Sequence, residues 1–93
     1  MAWRVVVIEN PARLSLRDNQ LAITQDVEAT LPIEDLDALI LDSYGITTTA
    51  NLLTALATKG TTTVICDEKH LPASVLLPYS QHSRQAKVSR QQL

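Results

Sequence analysis

Arg13-Leu14-Ser15-Leu16-Arg17-Asp18-Asn19-Gln20-Leu21-Ala22-Ile23-Thr24 is the stretch on which the reading of this fold depends. Polar and apolar residues alternate over Arg13–Arg17 and again over Gln20–Thr24. A period of two puts one set of side chains on a single face of a strand. Between the two runs, Asp18-Asn19 tolerates the left-handed backbone angles that a two-residue hairpin turn demands. The expected unit is a β-hairpin with Leu14, Leu16, Leu21 and Ile23 on its inner face. Arg13 and Arg17 fall on the outer face as solvated edge charges.

Upstream, Trp3–Glu9 is apolar and rich in β-branched residues, and reads as a buried strand ended by Asn10-Pro11. Downstream, Val27–Leu31 is a further short strand stopped by Pro32, and Ile33–Leu36 is a turn or a single helical turn. Ala38–Leu41 is a short apolar run and the natural central strand. The one helix follows. Thr48 or Thr49 caps it, Leu52, Leu53 and Leu56 supply its inner side, and Lys59-Gly60 closes it. Thr61–Cys66 is a strand, Asp67–His70 a polar turn, and Ala73–Leu77 a last strand ended by Pro78. The fold class is therefore α+β: a small β-rich domain of about six to seven short strands with one helix, over residues 1–78. From Tyr79 the composition turns to Gln and Ser, and 79–93 reads as a linker and the beginning of a helical segment.

With 93 residues, 45% of them hydrophobic, the chain suits one small domain and not a disordered one. It contains no Phe, so its core must be aliphatic. The single Cys66 excludes an internal disulfide. Val5–Ile8 is too short for the apolar part of a secretory leader, and no run reaches the roughly 20 apolar residues of a membrane span. The expectation is a soluble, cytoplasmic protein with no membrane association. The net charge of −2 is unevenly spread. Residues 1–78 carry five basic and ten acidic side chains, whereas 79–93 carries Arg84, Lys87 and Arg90 and no acid. An acidic body does not suit a free-standing nucleic-acid binder, but the basic end does suit phosphate.

Asp67, Glu68 and His70 are the right residue types for a divalent metal, yet they sit on a turn where successive side chains diverge and no second cluster completes a shell. No metal ligand is assigned. Cys66 reads as a buried structural thiol, since the adjacent Asp67 works against a reactive thiolate. Ser80, His82 and Ser83 are neighbours in a tail and cannot hold the fixed geometry of a nucleophile and its base. No catalytic residue is assigned. Arg84, Lys87 and Arg90 fall at i, i+3 and i+6, one face of a helix, and match a row of phosphates or a solubilising face. Trp3 and Tyr44 read either as core anchors or as parts of a protein interface.

Over nearly its whole length the chain resembles the start of the CRISPR-associated integrases that capture new spacers, in the form found in type II systems. The residues carrying the resemblance are Trp3-Arg4, the hairpin Leu14–Leu21, Leu39–Asp42, Cys66-Asp67, and Leu71-Pro72 through Leu76-Leu77-Pro78, with QHSRQ at Gln81–Gln85. The resemblance implies an N-terminal β-rich domain of a metal-dependent DNA endonuclease and integrase acting in antiviral defence. In that family, ligands for Mg or Mn lie on a following helical domain, beyond Leu93. The chain alone would then hold neither cofactor nor catalysis. The family's β domain pairs two protomers and helps seat duplex DNA and a small partner subunit. That implies a homodimer, with Trp3 and Tyr44 as interface candidates and Arg84, Lys87 and Arg90 as DNA contacts. The first loop, Asn10–Arg13, lacks the ring that some members stack on a DNA end. The alternative is a stand-alone α+β interaction module that binds a protein through an exposed strand edge.

Overall fold

In the computed structural model, which describes residues Arg4–Pro78, the order is β1 Val5–Ile8, β2 Ala12–Arg17, β3 Gln20–Thr24, β4 Glu28–Pro32, a 3-10 turn Ile33–Asp35, β5 Ala38–Leu41, β6 Ile46–Thr48, helix α1 Ala50–Thr58, β7 Thr62–Cys66 and β8 Pro72–Leu76. Asp18 and Asn19 take φ of 52° and 61°, the pair of left-handed angles that a two-residue turn uses to match strand twist. The register that follows sets Leu14 opposite Ile23 and Leu16 opposite Leu21. Leu14 and Leu21 are completely buried, and Leu16 and Ile23 pack at the margin of the core. Arg17 lies on the exposed side and pairs with Glu28.

The strands form two four-stranded sheets. One is ordered β4-β3-β2-β6, with β6 running parallel to β2. The other is ordered β1-β5-β7-β8, parallel except for β8. The inner residues of both sheets meet in one core built from Ile8, Leu14, Leu21, Leu39, Leu41 and, from the helix, Leu52 and Leu56. Each fully buried Leu of this set contributes roughly 1.5–3 kcal/mol through the apolar surface it removes from water. The small sixth strand is the element that the sequence reading lacks, which brings the strand count among the described residues to eight. Ile46-Thr47-Thr48 is only three residues long, and its pairing partner Ala12–Leu14 lies more than thirty positions away. Gly45 permits that approach: a Cβ there would sit 2.8 Å from the Pro11 Cβ and 2.9 Å from its Cγ.

The helix is bounded as its sequence implies. The Thr49 hydroxyl accepts from the Leu52 amide at its start. At its end Gly60 has φ 87°, its amide donates to the Ala57 carbonyl at 3.0 Å, and the Thr61 amide donates to the Leu56 carbonyl at 2.8 Å. This is a Schellman closure. It delivers Thr61, almost fully buried, so that its hydroxyl donates 2.8 Å to the Leu36 carbonyl just ahead of β5.

Thr61→Val keeps the shape but leaves that buried carbonyl without its donor. The expected cost is about 1–3 kcal/mol, read as a lower urea midpoint at unchanged slope. A variant as stable as the parent would show that the bond contributes nothing.

Candidate functional site

Three apolar runs end at the same side of the parallel sheet, and each is followed at once by an acid: Ile8 by Glu9, Leu41 by Asp42, and Cys66 by Asp67. Parallel pairing places all three carboxylates at one edge of the sheet, where Glu68 and His70 join them. Two adjoining depressions lie there. One, of about 530 Å³, is lined by Glu9, Asn10, Asp42 and His70. The other, of about 310 Å³, adds Ser43, Tyr44, Asp67 and Glu68. In open α/β sheets, ligands favour this carboxyl edge where the strand order reverses. Here the order advances one way, β1 then β5 then β7, so no such reversal occurs.

The β7–β8 turn is organised internally. Asp67 Oδ1 accepts from the amides of Lys69 at 2.8 Å and Leu71 at 3.1 Å, and the Asp67 amide donates to the Leu71 carbonyl at 2.8 Å. The Asp67 carboxylate therefore serves its own loop. His70, at φ 65°, swings the other way, and its Nδ1 donates to Asp42 Oδ1 at 2.8 Å. That bond fixes the tautomer with its proton on Nδ1. The Asp42 hydrogen bond and charge hold the His70 pKa above its ordinary value, and Glu9 and Asp67 add to this. Burial, and after it Asp42 and Asp67, pushes the Cys66 thiol up, which keeps it protonated and unreactive at neutral pH.

Among the described residues, no three His, Cys, Asp or Glu side chains converge as a metal would require. Asp67 and His70 sit on one turn but point to different partners. Mg or Mn does not fit this edge as the described residues form it. An edge carrying Glu9, Asp42, Asp67 and Glu68 also repels phosphate, so DNA is not expected to bind on this side. Tyr44, in the turn between β5 and β6, is 75% exposed and so is not a core anchor. Trp3, Arg84, Lys87 and Arg90 lie outside the described residues. The tie between Asp42 and His70 spans 28 positions and was not evident from the local turn sequence. Its signal was the acid placed directly after each parallel strand.

His70 carries a raised folded pKa, so the stability it adds is full below the ordinary value of 6.5 and is lost as pH rises through the raised value. Asp42→Asn should return His70 towards 6.5 in an NMR titration of its ring protons and remove that pH dependence. An unchanged titration in the variant would show that the contact does not hold in solution.

A family model described as CRISPR associated protein Cas1 matches residues 5–93. The CRISPR-associated endonuclease Cas1 of Neisseria meningitidis serogroup C (strain 8013) is 44% identical over 94 residues, covering 100% of this chain and 31% of that protein. Solved structures share the fold at low identity. A Cas1 protein from Thermotoga maritima superposes with a TM-score of 0.71 at 13% identity, over 81% of this chain and 25% of that one. A TtCas1–DNA complex gives 0.73 at 18% identity, over 85% and 30%. A partial Cas6-RT-Cas1–Cas2 complex gives 0.69 at 16%, over 90% and 26%. The chain thus spans about a third of the curated relative it matches. With the family model running from the first strand to the final residue, this chain belongs to the Cas1 family.

Proposed function

We propose that this chain is the N-terminal β domain of a metal-dependent DNA endonuclease and integrase that inserts new spacers into CRISPR arrays, and that this part pairs two protomers and helps seat DNA. The observation that carries the reading is the 44% identity to a Cas1 endonuclease over the full length of the chain. The catalytic metal ligands are assigned to the part of the relatives that this chain does not span. The Mg or Mn they hold would supply electrophilic stabilisation and an activated nucleophile for cutting and joining DNA. The chain's own role is assembly. A Cas1 structure solved with DNA and another solved with Cas2 support DNA and Cas2 as partners of the whole protein. No helix among the described residues is long and apolar enough to cross a membrane. We place the protein in the cytoplasm, where its DNA substrates are.

One surface favours pairing through this domain. On the side of the mixed parallel sheet away from the core, the register aligns Val5 with Ala38, Val7 with Ile40, Ile40 with Val64, and Val64 with Val75. The row crosses every strand of that sheet, and Val5, Val7 and Val75 are 59%, 47% and 47% exposed. An apolar face of this kind suits a symmetric, self-complementary contact. By contrast β8, which starts at Pro72 and runs into Pro78, and β4, which ends at Pro32, are edges blunted against strand addition. The other two edge strands, β1 and β6, carry no proline, so strand addition is opposed at two of the four edges.

Sedimentation equilibrium should give a dimer at tens of micromolar, on the scale of a roughly micromolar interface, and Val7→Asp should shift it to monomer. A wild-type monomer at that concentration would rule out pairing through this domain.

The longer protein that carries this chain should join duplex DNA into a repeat with Mg or Mn, while this chain alone should not. Replacing Arg84, Lys87 and Arg90 by Ala in the longer protein should weaken DNA binding and flatten its log–log salt dependence by about one unit for each phosphate that is no longer neutralised. An unchanged slope would make the three ordinary solvated side chains, and failure of the longer protein to join DNA would sink the functional reading.

A further inference from the structure

Strand β1 is an edge of the parallel sheet, and the ladder on its paired side decides what its free side offers. The Ala38 amide donates to the Arg4 carbonyl at 3.4 Å and the Asp42 amide to the Ile8 carbonyl at 2.8 Å. Backbone groups of successive strand residues point to opposite sides, so Val6 also turns towards β5. The N–H and C=O groups of Val5 and Val7 therefore point away from it. Among the described residues β5 is the only strand paired with β1, and no loop amide or carbonyl meets Val5 or Val7. Both side chains are exposed on the outer face of the sheet, at the end of its apolar row.

Nothing in Val5-Val6-Val7-Ile8 guards this edge: the run holds no proline, no charge and no bulge. It is also complementary to itself. The free groups belong to Val5 and Val7 alone, and one antiparallel alignment of two copies uses all of them. Val5 then lies opposite the partner's Val7, and Val7 opposite the partner's Val5, with a two-fold axis at Val6. Each of these pairs exchanges both of its bonds, and the two Val6 residues form the closely spaced unbonded pair between them, about 4.5 Å apart at Cα. Charge favours the same direction. Arg4 and Glu9 flank the strand, both exposed, and neither enters an ion pair among the described residues. Antiparallel alignment brings Arg4 within one position of the partner's Glu9 at each end, whereas parallel alignment sets Arg4 against the partner's Arg4. At the far edge of each sheet β8 begins with Pro72, so the joined sheet is blunted against further growth.

We propose that the free edge of β1 docks a second copy of this chain, added antiparallel about Val6, so that two four-stranded sheets become one continuous sheet. The inference rests on the pairing proposed above and gives it an edge, a direction and a register. Val6 and Ile8 keep their places against their own core, and the outer apolar row runs on from Val7 to the partner's Val5.

The test is NMR on the 93-residue chain, with isotope-labelled and unlabelled copies mixed. The Val6 Hα should give a cross-peak to the Val6 Hα of the other copy, and the Val5 and Val7 amides should exchange about tenfold slower in the dimer than in the dilute monomer. Val7→Pro removes a donor from the free edge and none from the ladder to β5, so it should give a monomer with the Leu39 and Leu52 methyl signals in place. Arg4→Glu should weaken the dimer about fivefold, and adding Glu9→Arg should restore it. A chain that stays monomeric would overturn this inference together with pairing through the domain. A dimer that lacks the Val6 cross-peak, or that survives Val7→Pro with the Val5 and Val7 amides unprotected, would overturn the edge alone and leave the outer face of the sheet as the contact.

Discussion

Everything in this domain depends on Ala38–Leu41 being held on both sides at once. This four-residue strand pairs in parallel with β1 on one flank and β7 on the other, and without it the mixed sheet separates into a lone strand and a hairpin. Its inward side chains, Leu39 and Leu41, sit in the common core, while Ala38 and Ile40 form the middle of the outer face. The residues just before it are held as firmly. The Asp37 amide donates to the Arg4 carbonyl at 2.8 Å, the Asp37 carbonyl accepts from Thr62 at 3.1 Å, and the Leu36 carbonyl receives the Thr61 hydroxyl. The helix cap, the Thr61 bond and the strand are therefore one mechanical unit. An error in closing the helix would be transmitted directly to the strand on which both neighbours rest.

Most of this architecture was legible in the residues because its local chemistry is unambiguous. Strict alternation around Asp18-Asn19 admits only a hairpin, and a Thr cap, a Leu-bearing side and a Lys-Gly stop admit only a helix. Pro11, Pro32 and Pro78 mark places where strands stop. What escaped was non-local. The strand Ile46–Thr48 has no periodicity to read at three residues and exists because Gly45 lets it lie close to Pro11. The bond from His70 to Asp42 was hidden in the same way, since the turn's own sequence does not say which strand end lies beside it. Trp3 and the basic trio Arg84, Lys87 and Arg90 stand on sequence reasoning alone.

Charge is segregated along the sequence: ten acids and five basic residues in 1–78, three basic residues and no acid in 79–93. The carboxyl edge of the parallel sheet gathers carboxylates and orders two of them, Asp67 through loop amides and Asp42 through one imidazole, which makes it a surface hostile to polyanions. Past Pro78 the sequence carries Arg84, Lys87 and Arg90 and no acid.

The order of pairing also dictates how the protein emerges during synthesis. The meander β2-β3-β4 is made of neighbours in sequence and can close within about 1–10 μs once its turns are out. β1, with its Val5-Val6-Val7-Ile8 run, has to wait for a partner some thirty residues later, and for β7 before that partner is secured. At about 5–20 residues per second, the first strand stays unpaired for several seconds on the ribosome. Val5–Ile8 therefore waits longer for its pairing partner than any strand of the β2-β3-β4 meander does.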